Sequence, residues 1–234
     1  MADKNESEAE FDPFSDAYDQ AVNESIAFSG LKVDYFARVK AAYLLDLIAE
    51  AGLDAKTAAL LDIGCGIGNY HPLLIDHVGS IAGTDVSSAS LAEAGRRNPR
   101  VAYRHSTGET LPYADASFDV AFTVCVMHHV PEIQWPQFSR EMRRVLKPGG
   151  IAVVFEHNPF NPLTRRIVSD CVFDVNAVLL RPSRTKALLR DAGFSAIAAR
   201  HILTIPAGSP RLRGIDRLFS RLPLGAQYYV RGRA

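Results

Sequence analysis

Three glycines at alternate positions, Gly64, Gly66 and Gly68, follow the apolar stretch Leu60-Leu61-Asp62-Ile63. Alternate glycines let a chain turn sharply and let a ligand reach main-chain atoms that a side chain would block. An aspartate, Asp85, closes the next apolar stretch about twenty residues on, where a carboxylate can accept both hydroxyls of a ribose. Together these residues predict a site for an adenosine-bearing ligand. A second chemical set lies further along. His128 and His129 follow one apolar run, and Glu156 and His157 end another. Imidazoles change charge near neutral pH, so such groups can take a proton from a hydroxyl.

The elements that must position these residues follow from periodicity. Residues 58–63, 80–85, 101–105, 118–124 and 151–156 are short and apolar and read as buried strands. Helical patterns separate them at 70–78, 88–97 and 135–146, and Lys147-Pro148-Gly149-Gly150 reads as a turn. Alternating strands and helices imply a parallel sheet covered on both faces. Upstream, residues 34–51 form a helix stopped by Gly52. Downstream come a helix at 183–192, a strand at 194–205, a basic amphipathic helix near 212–222 and a strand at 227–231. The chain divides into a polar tail (1–10), a helical cap (11–54) and one α/β domain (55–234) with an insertion at 157–182.

Composition narrows the class. Twenty-six basic residues balance 26 acidic ones, which argues against a surface built to neutralise nucleic-acid phosphates. No apolar run reaches membrane-spanning length, and the acidic start is unlike a signal peptide. The three cysteines, Cys65, Cys125 and Cys171, are far apart and odd in number, so reduced thiols in a cytoplasmic protein are expected.

The run Leu60 to Asn69 resembles the first motif of class I S-adenosylmethionine-dependent methyltransferases, and the likeness continues. Thr84-Asp85-Val86-Ser87 resembles the second motif, and Gly108-Glu109-Thr110-Leu111-Pro112-Tyr113 with Ser117-Phe118-Asp119 the third and fourth. Met127-His128-His129-Val130 and Arg144-Val145-Leu146-Lys147-Pro148-Gly149-Gly150 resemble the stretches around the fourth helix and fifth strand. The nearest branch is that of the ubiquinone and menaquinone methyltransferases. The resemblance implies a Rossmann-like, mostly parallel seven-stranded sheet with one antiparallel strand. It further implies that S-adenosylmethionine is bound by Tyr18, Asp62, Gly64, Cys65, Gly66, Asp85, Val86, Thr107, Gly108, Glu109, Thr123 and Cys125. Many relatives place an acidic residue on the adenine amino group where this chain has Thr107, so that contact passes to Gly108 or Glu109. A dinucleotide site would want G-x-G-x-x-G, and here Asn69 follows Gly68 without the third-turn glycine.

The expected reaction is methylation of a small molecule, at oxygen in preference to carbon or nitrogen, with His128, His129 and His157 as candidate bases and no metal. Block 157–180 resembles enzymes of bacterial secondary-metabolite or glycan pathways. Tyr18 is expected to help close the site, and Glu156 to be a base or a partner of Arg165. The insertion at 157–182 is expected to wall the acceptor pocket, with Phe160, Arg165, Arg166, Phe173 and Asp174 as its most informative side chains. Arg165 and Arg166 read as an anion grip or a solvated face, and the basic helix as a cover for the sheet. A monomer or homodimer without nucleic acid or stable membrane insertion is expected. A catalytically silent cofactor-binding protein and an NAD-dependent oxidoreductase are the competing readings.

Overall fold

A computed structural model of the chain describes residues 32–171, 174 and 176–234. Tyr18, Phe173, the polar tail and the first part of the cap lie outside them.

The described chain opens with α1 (Val33–Glu50), whose apolar face carries Tyr43, Leu44, Leu47 and Ile48. Gly52, at φ +75°, ends it: its N–H donates to Ala49 O, and Leu53 N–H returns to Ile48 O. There follow β1 (Ala59–Ile63), the single turn α2 (His71–Leu74), β2 (Ser80–Asp85), α3 (Ser88–Arg97), β3 (Ala102–His105) and β4 (Phe118–Val124). A 3₁₀ turn (Glu132–Gln134) leads into α4 (Trp135–Val145) and β5 (Leu146–His157). The remainder is α5 (Pro162–Asp170), α6 (Pro182–Asp191), β6 (Ser195–Ile202), α7 (Pro210–Phe219) and β7 (Gln227–Arg233).

The sheet order is β3-β2-β1-β4-β5-β7-β6. All neighbours run parallel except β7, which is antiparallel to both β5 and β6. Successive strand residues feed opposite faces, because the side-chain period is two. Leu60, Val120, Phe122, Val153 and Phe155 pack under α1. Leu61, Ala121, Ala152 and Val154 face Trp135, Met142, Leu188 and Leu189 on the other side. The sheet order reverses between β1 and β4, and ligands in open α/β sheets bind beyond the strands' carboxyl ends at such a point.

Several elements differ from the sequence expectation. The helix expected at 70–78 is only the turn His71–Leu74. The turn at 147–150 lies inside β5: the register slips between Phe118↔Leu146 and Val120↔Ile151, and Gly149, at φ +83°, absorbs the excess as a bulge. β6 stops at Ile202 because Asp216 draws the next three N–H groups, of Leu203, Thr204 and Ile205, out of the ladder.

The basic helix does not cover the sheet with its apolar stripe. Buried Asp216 joins α7 to Tyr43 of α1, and Arg213 and Arg217 pair with Asp46. Leu212, Ile215, Leu218 and Phe219 face outward. Polar groups dock this helix, which hydrophobic periodicity alone cannot register.

Candidate functional site

The loop after β1 has its three glycines in the left-handed region, at φ +73°, +50° and +77° for Gly64, Gly66 and Gly68. They have different tasks. A Cβ on Gly64 would lie 2.6 Å from Val126 Cγ2, so the loops after β1 and β4 touch there with no space for a side chain. A Cβ on Gly68 would collide with Asn98, Tyr103 and His71. At Gly66 a Cβ would meet nothing within 4 Å: the backbone faces open space, as a ligand cradle requires. Beneath the loop, His71 Nε2–H donates to Asp62 Oδ2 (3.1 Å), and Tyr103 OH donates to His71 Nδ1 (2.6 Å). Asp62 thus pins the loop's underside.

Asp85 stands at the carboxyl end of β2 and accepts two main-chain N–H bonds, from Gly66 to Oδ2 (2.8 Å) and from Ser87 to Oδ1 (2.9 Å). Burial raises its pKa, and those two N–H groups oppose the rise. Ser87 also caps α3 through Ser90 N–H. Beyond β3, Ser106 N–H donates to Asp85 O, and Ser106 Oγ accepts from Gly108 N–H, so the segment with Thr107, Gly108 and Glu109 is tied to the end of β2. A Cβ on Gly108 would be in ordinary contact with Val86. Cys65 is buried, and burial holds its thiol protonated.

β4 and β5 supply the second half. Thr123 is fully buried, and its hydroxyl has no hydrogen-bond partner among the described residues. Cys125, at φ +56°, turns the chain out of the sheet. Trp135 Nε1–H then clamps the turn by donating to Met127 O and Val130 O, each 2.9 Å away.

The three histidines differ in role. His128 is 1% exposed, with Nδ1 2.6 Å from Glu156 Oε2 and Nε2 3.3 Å from Asp174 Oδ1. Burial works against charge on this ring, yet Glu156 and Asp174 prevail and raise its pKa well above the usual value. Burial, then the charge on His128, pushes both His129 and His157 down to about 4. At neutral pH the cluster therefore holds one cationic imidazole and two neutral ones.

Glu156 takes Met127 N–H on its other oxygen, so its partners are His128 and this amide, not Arg165. Arg165 and Arg166 are exposed on α5, Arg166 lying 3.7 Å from Asp170. Asn158 is structural: its amide donates to Pro223 O and Gly225 O.

The sequence did not single out His71 or Lys40, and it marked Asp174 only as a side chain of the acceptor wall. Asp174 joins the histidines from a loop 46 residues beyond His128. His71 supports the glycine loop. Lys40, on α1, is only 6% exposed, with Nζ 3.9 Å from Cys125 Sγ and 5.6 Å from the Tyr70 ring centre. A buried lysine amid apolar neighbours was the one available signal for it.

This architecture is the Rossmann-like sheet of class I methyltransferases. A methyltransferase-domain family model matches residues 61–154. The methyltransferase GfsG of Streptomyces halstedii is 30% identical over 240 residues, covering 91% of this chain and 85% of that protein. A 2-phytyl-1,4-naphtoquinone methyltransferase of Synechococcus elongatus is 36% identical over 117 residues, but this chain spans only 49% of its length. A solved S-adenosylmethionine-dependent methyltransferase from Thermotoga maritima superposes with a TM-score of 0.69 at 22% identity, covering 96% of this chain and 98% of that one. The chain belongs to the S-adenosylmethionine-dependent methyltransferase family, which sets the dinucleotide reading aside.

Proposed function

We propose that this chain methylates a hydroxyl oxygen of a small molecule held above His128, His129 and His157. One observation carries the reading. Gly64 packs directly on Val126, so the glycine loop and the histidine-bearing turn are adjacent at the switch point between β1 and β4. When bound, S-adenosylmethionine supplies an electrophilic methyl group on a sulfonium that departs as a neutral thioether.

The residues present fit that cofactor. Open space before Gly66, with an aspartate at the end of β2, suits a main-chain approach and a ribose diol. In this reading Gly64, Cys65 and Gly66 line the amino-acid end, Asp85 takes the ribose hydroxyls, and Val86, Thr107, Gly108 and Glu109 surround the adenine. Thr123 and Cys125 floor the site, and Lys40 offers its ammonium to the cofactor carboxylate. Asp62 acts through His71 to hold the loop.

Methyl transfer needs alignment first, and a base only where the acceptor must lose a proton. Both ring nitrogens of His128 face carboxylates, so it positions. His129 and His157 receive the proton that the acceptor oxygen loses. The naphtoquinone methyltransferase among the relatives supports a small-molecule acceptor, and the reading extends to secondary-metabolite, glycan or lipid biosynthesis by a monomer or homodimer. Among the described residues no helix is long and apolar enough to cross a membrane.

The test is incubation with S-adenosylmethionine and a panel of phenols, sugars and hydroxy acids, followed by S-adenosylhomocysteine assay and mass spectrometry of the product. The expected result is O-methylation. Methylation at carbon or nitrogen would overturn the oxygen assignment. Tight S-adenosylhomocysteine binding without turnover across the panel would favour the silent binding protein.

A further inference from the structure

We propose that His128, His157 and Asp174 form a binding site for a tetrahedral divalent metal ion of the zinc type. One ligand atom from each of the three lies within 4.8 Å of the other two. They come from separate elements: the turn after β4, the end of β5 and the loop after α5. That loop is held in place, because Val178 N–H donates to His128 O and Asp174 N–H to Cys171 O.

The spacing is informative. Charged N–H···O bonds close to about 2.7–2.9 Å, whereas His128 Nε2 and Asp174 Oδ1 stand 3.3 Å apart. Nitrogen and oxygen ligands about 2.0–2.1 Å from zinc define a tetrahedral edge of roughly 3.3–3.4 Å. An octahedral edge with similar bonds would be roughly 2.9 Å. This one separation equals a tetrahedral edge, and the His157 ligand atom lies within 4.8 Å of the other two.

The surroundings also match. Metal-binding histidines characteristically give their second ring N–H to a carboxylate, which fixes the ring. Glu156 does this at 2.6 Å on His128 Nδ1, directing Nε2 toward Asp174, and Met127 N–H holds Glu156 in turn. Glu156 and Asp174 bring two negative charges, and Lys40 and the protonated His128 two positive ones, so a dication that displaces the His128 proton changes the charge of the site by only one unit. Two imidazoles and a carboxylate are borderline ligands suited to zinc. Three protein ligands leave a fourth position open, as in catalytic zinc sites. His129 Nε2, 3.4 Å from the same Asp174 oxygen, stands beside it. With the metal bound, His157 is a ligand and His129 alone is left to take the acceptor's proton; the site stands whichever acceptor the enzyme methylates.

The test uses the full chain, free of affinity tag, stripped with chelator and titrated with Zn²⁺ against a chromophoric chelator, then with Co²⁺ by visible absorption. One equivalent is expected, with the intense d–d bands of tetrahedral cobalt. Loss of a first ligand in His157→Gln or Asp174→Asn should weaken uptake by more than about 100-fold, and Glu156→Gln by about 10–100-fold. Circular dichroism and S-adenosylhomocysteine binding check that each variant is folded. No uptake at micromolar metal, the weak spectrum of octahedral cobalt, or uptake unchanged in folded His157→Gln and Asp174→Asn would each overturn the site.

Discussion

The cofactor cradle and the acceptor cluster lie side by side, yet they are built on different principles. The cradle consists of near neighbours in sequence and is fixed through the main chain. Gly66 and Ser87 donate N–H groups to Asp85, and three positive-φ glycines shape the loop. Lys40 is the one distant side chain of the cradle, whereas the acceptor cluster is fixed entirely through side chains, drawn from three separate places: the His128–His129 pair, Glu156 with His157, and Asp174. A main-chain site tolerates change around it, while a side-chain site can be re-specified residue by residue.

The contrast breaks most visibly in kinetics. Replacing His129 and His157 together by glutamine should lower kcat by about 10²–10⁴-fold, the usual worth of a positioned base. The S-adenosylhomocysteine dissociation constant, measured by calorimetry, should stay within about twofold, since neither side chain belongs to the cradle. An affinity loss matching the rate loss would mean that the two regions are one site.

On the other side of the contact, Gly64→Ala should cost about 2–5 kcal/mol. About 1–2 kcal/mol comes from the left-handed conformation, and about 1–3 kcal/mol from forcing a methyl against Val126, 2.6 Å away. Thermal unfolding with and without S-adenosylhomocysteine checks this. A variant as stable as the parent would show that the loops after β1 and β4 are not in firm contact.

These two regions were unequally legible for a physical reason. Glycines, a strand and an aspartate at fixed spacing encode the cradle locally, so the loop at 64–69 and Asp85 could be read directly. The histidines could be read too, because the ends of β4 and β5 must lie at one sheet edge. Asp174 could be read as part of the insertion that walls the acceptor, but not its partner: the contact with His128 spans 46 residues and depends on how the chain packs after α5. Lys40 failed for the same reason, reaching Cys125 across 85 residues. The outward apolar stripe of α7 misled because Asp216, one buried carboxylate, decides its orientation. The parallel sheet followed from the alternation of elements and the one antiparallel strand from the family resemblance, whereas the bulge at Gly149 depends on strand register.

Within the cradle, Asp85 gives a prediction with a sign. Its pKa is raised by burial, so on acidification it takes up a proton before an ordinary carboxylate would. The ionised form is the better acceptor for ribose hydroxyls, so cofactor affinity should fall as pH drops through that raised value. Stability of the cofactor-free protein runs the other way. The fold binds this proton more tightly than the unfolded chain does, so Asp85's stabilising contribution is full below the unfolded pKa and lost as pH rises through the folded one. Asp85→Asn should weaken S-adenosylhomocysteine by about 1.5–3 kcal/mol, the scale of charged hydrogen bonds. It should also erase the acid limb of the affinity profile. Calorimetry between pH 5 and 8 tests both, and an unchanged limb would assign it to the neighbouring buried Asp62, whose pKa burial also raises.

The smallest expected effect concerns the one gap in the cradle. Thr107 is exposed at the segment tied by Ser106 to the end of β2, where the family resemblance leads one to expect a carboxylate on the adenine amino group. Thr107→Asp should therefore tighten S-adenosylhomocysteine by about 0.5–1.5 kcal/mol, the net worth of one added hydrogen bond. The inosine analogue, which has no amino group, should gain nothing. Equal gains for both ligands would indicate general electrostatic attraction to the ammonium of the amino-acid end or to the protein surface. No gain for either would place the adenine edge elsewhere, against Gly108 or Glu109, and would make this half of the cradle dependent on main-chain contacts like the other.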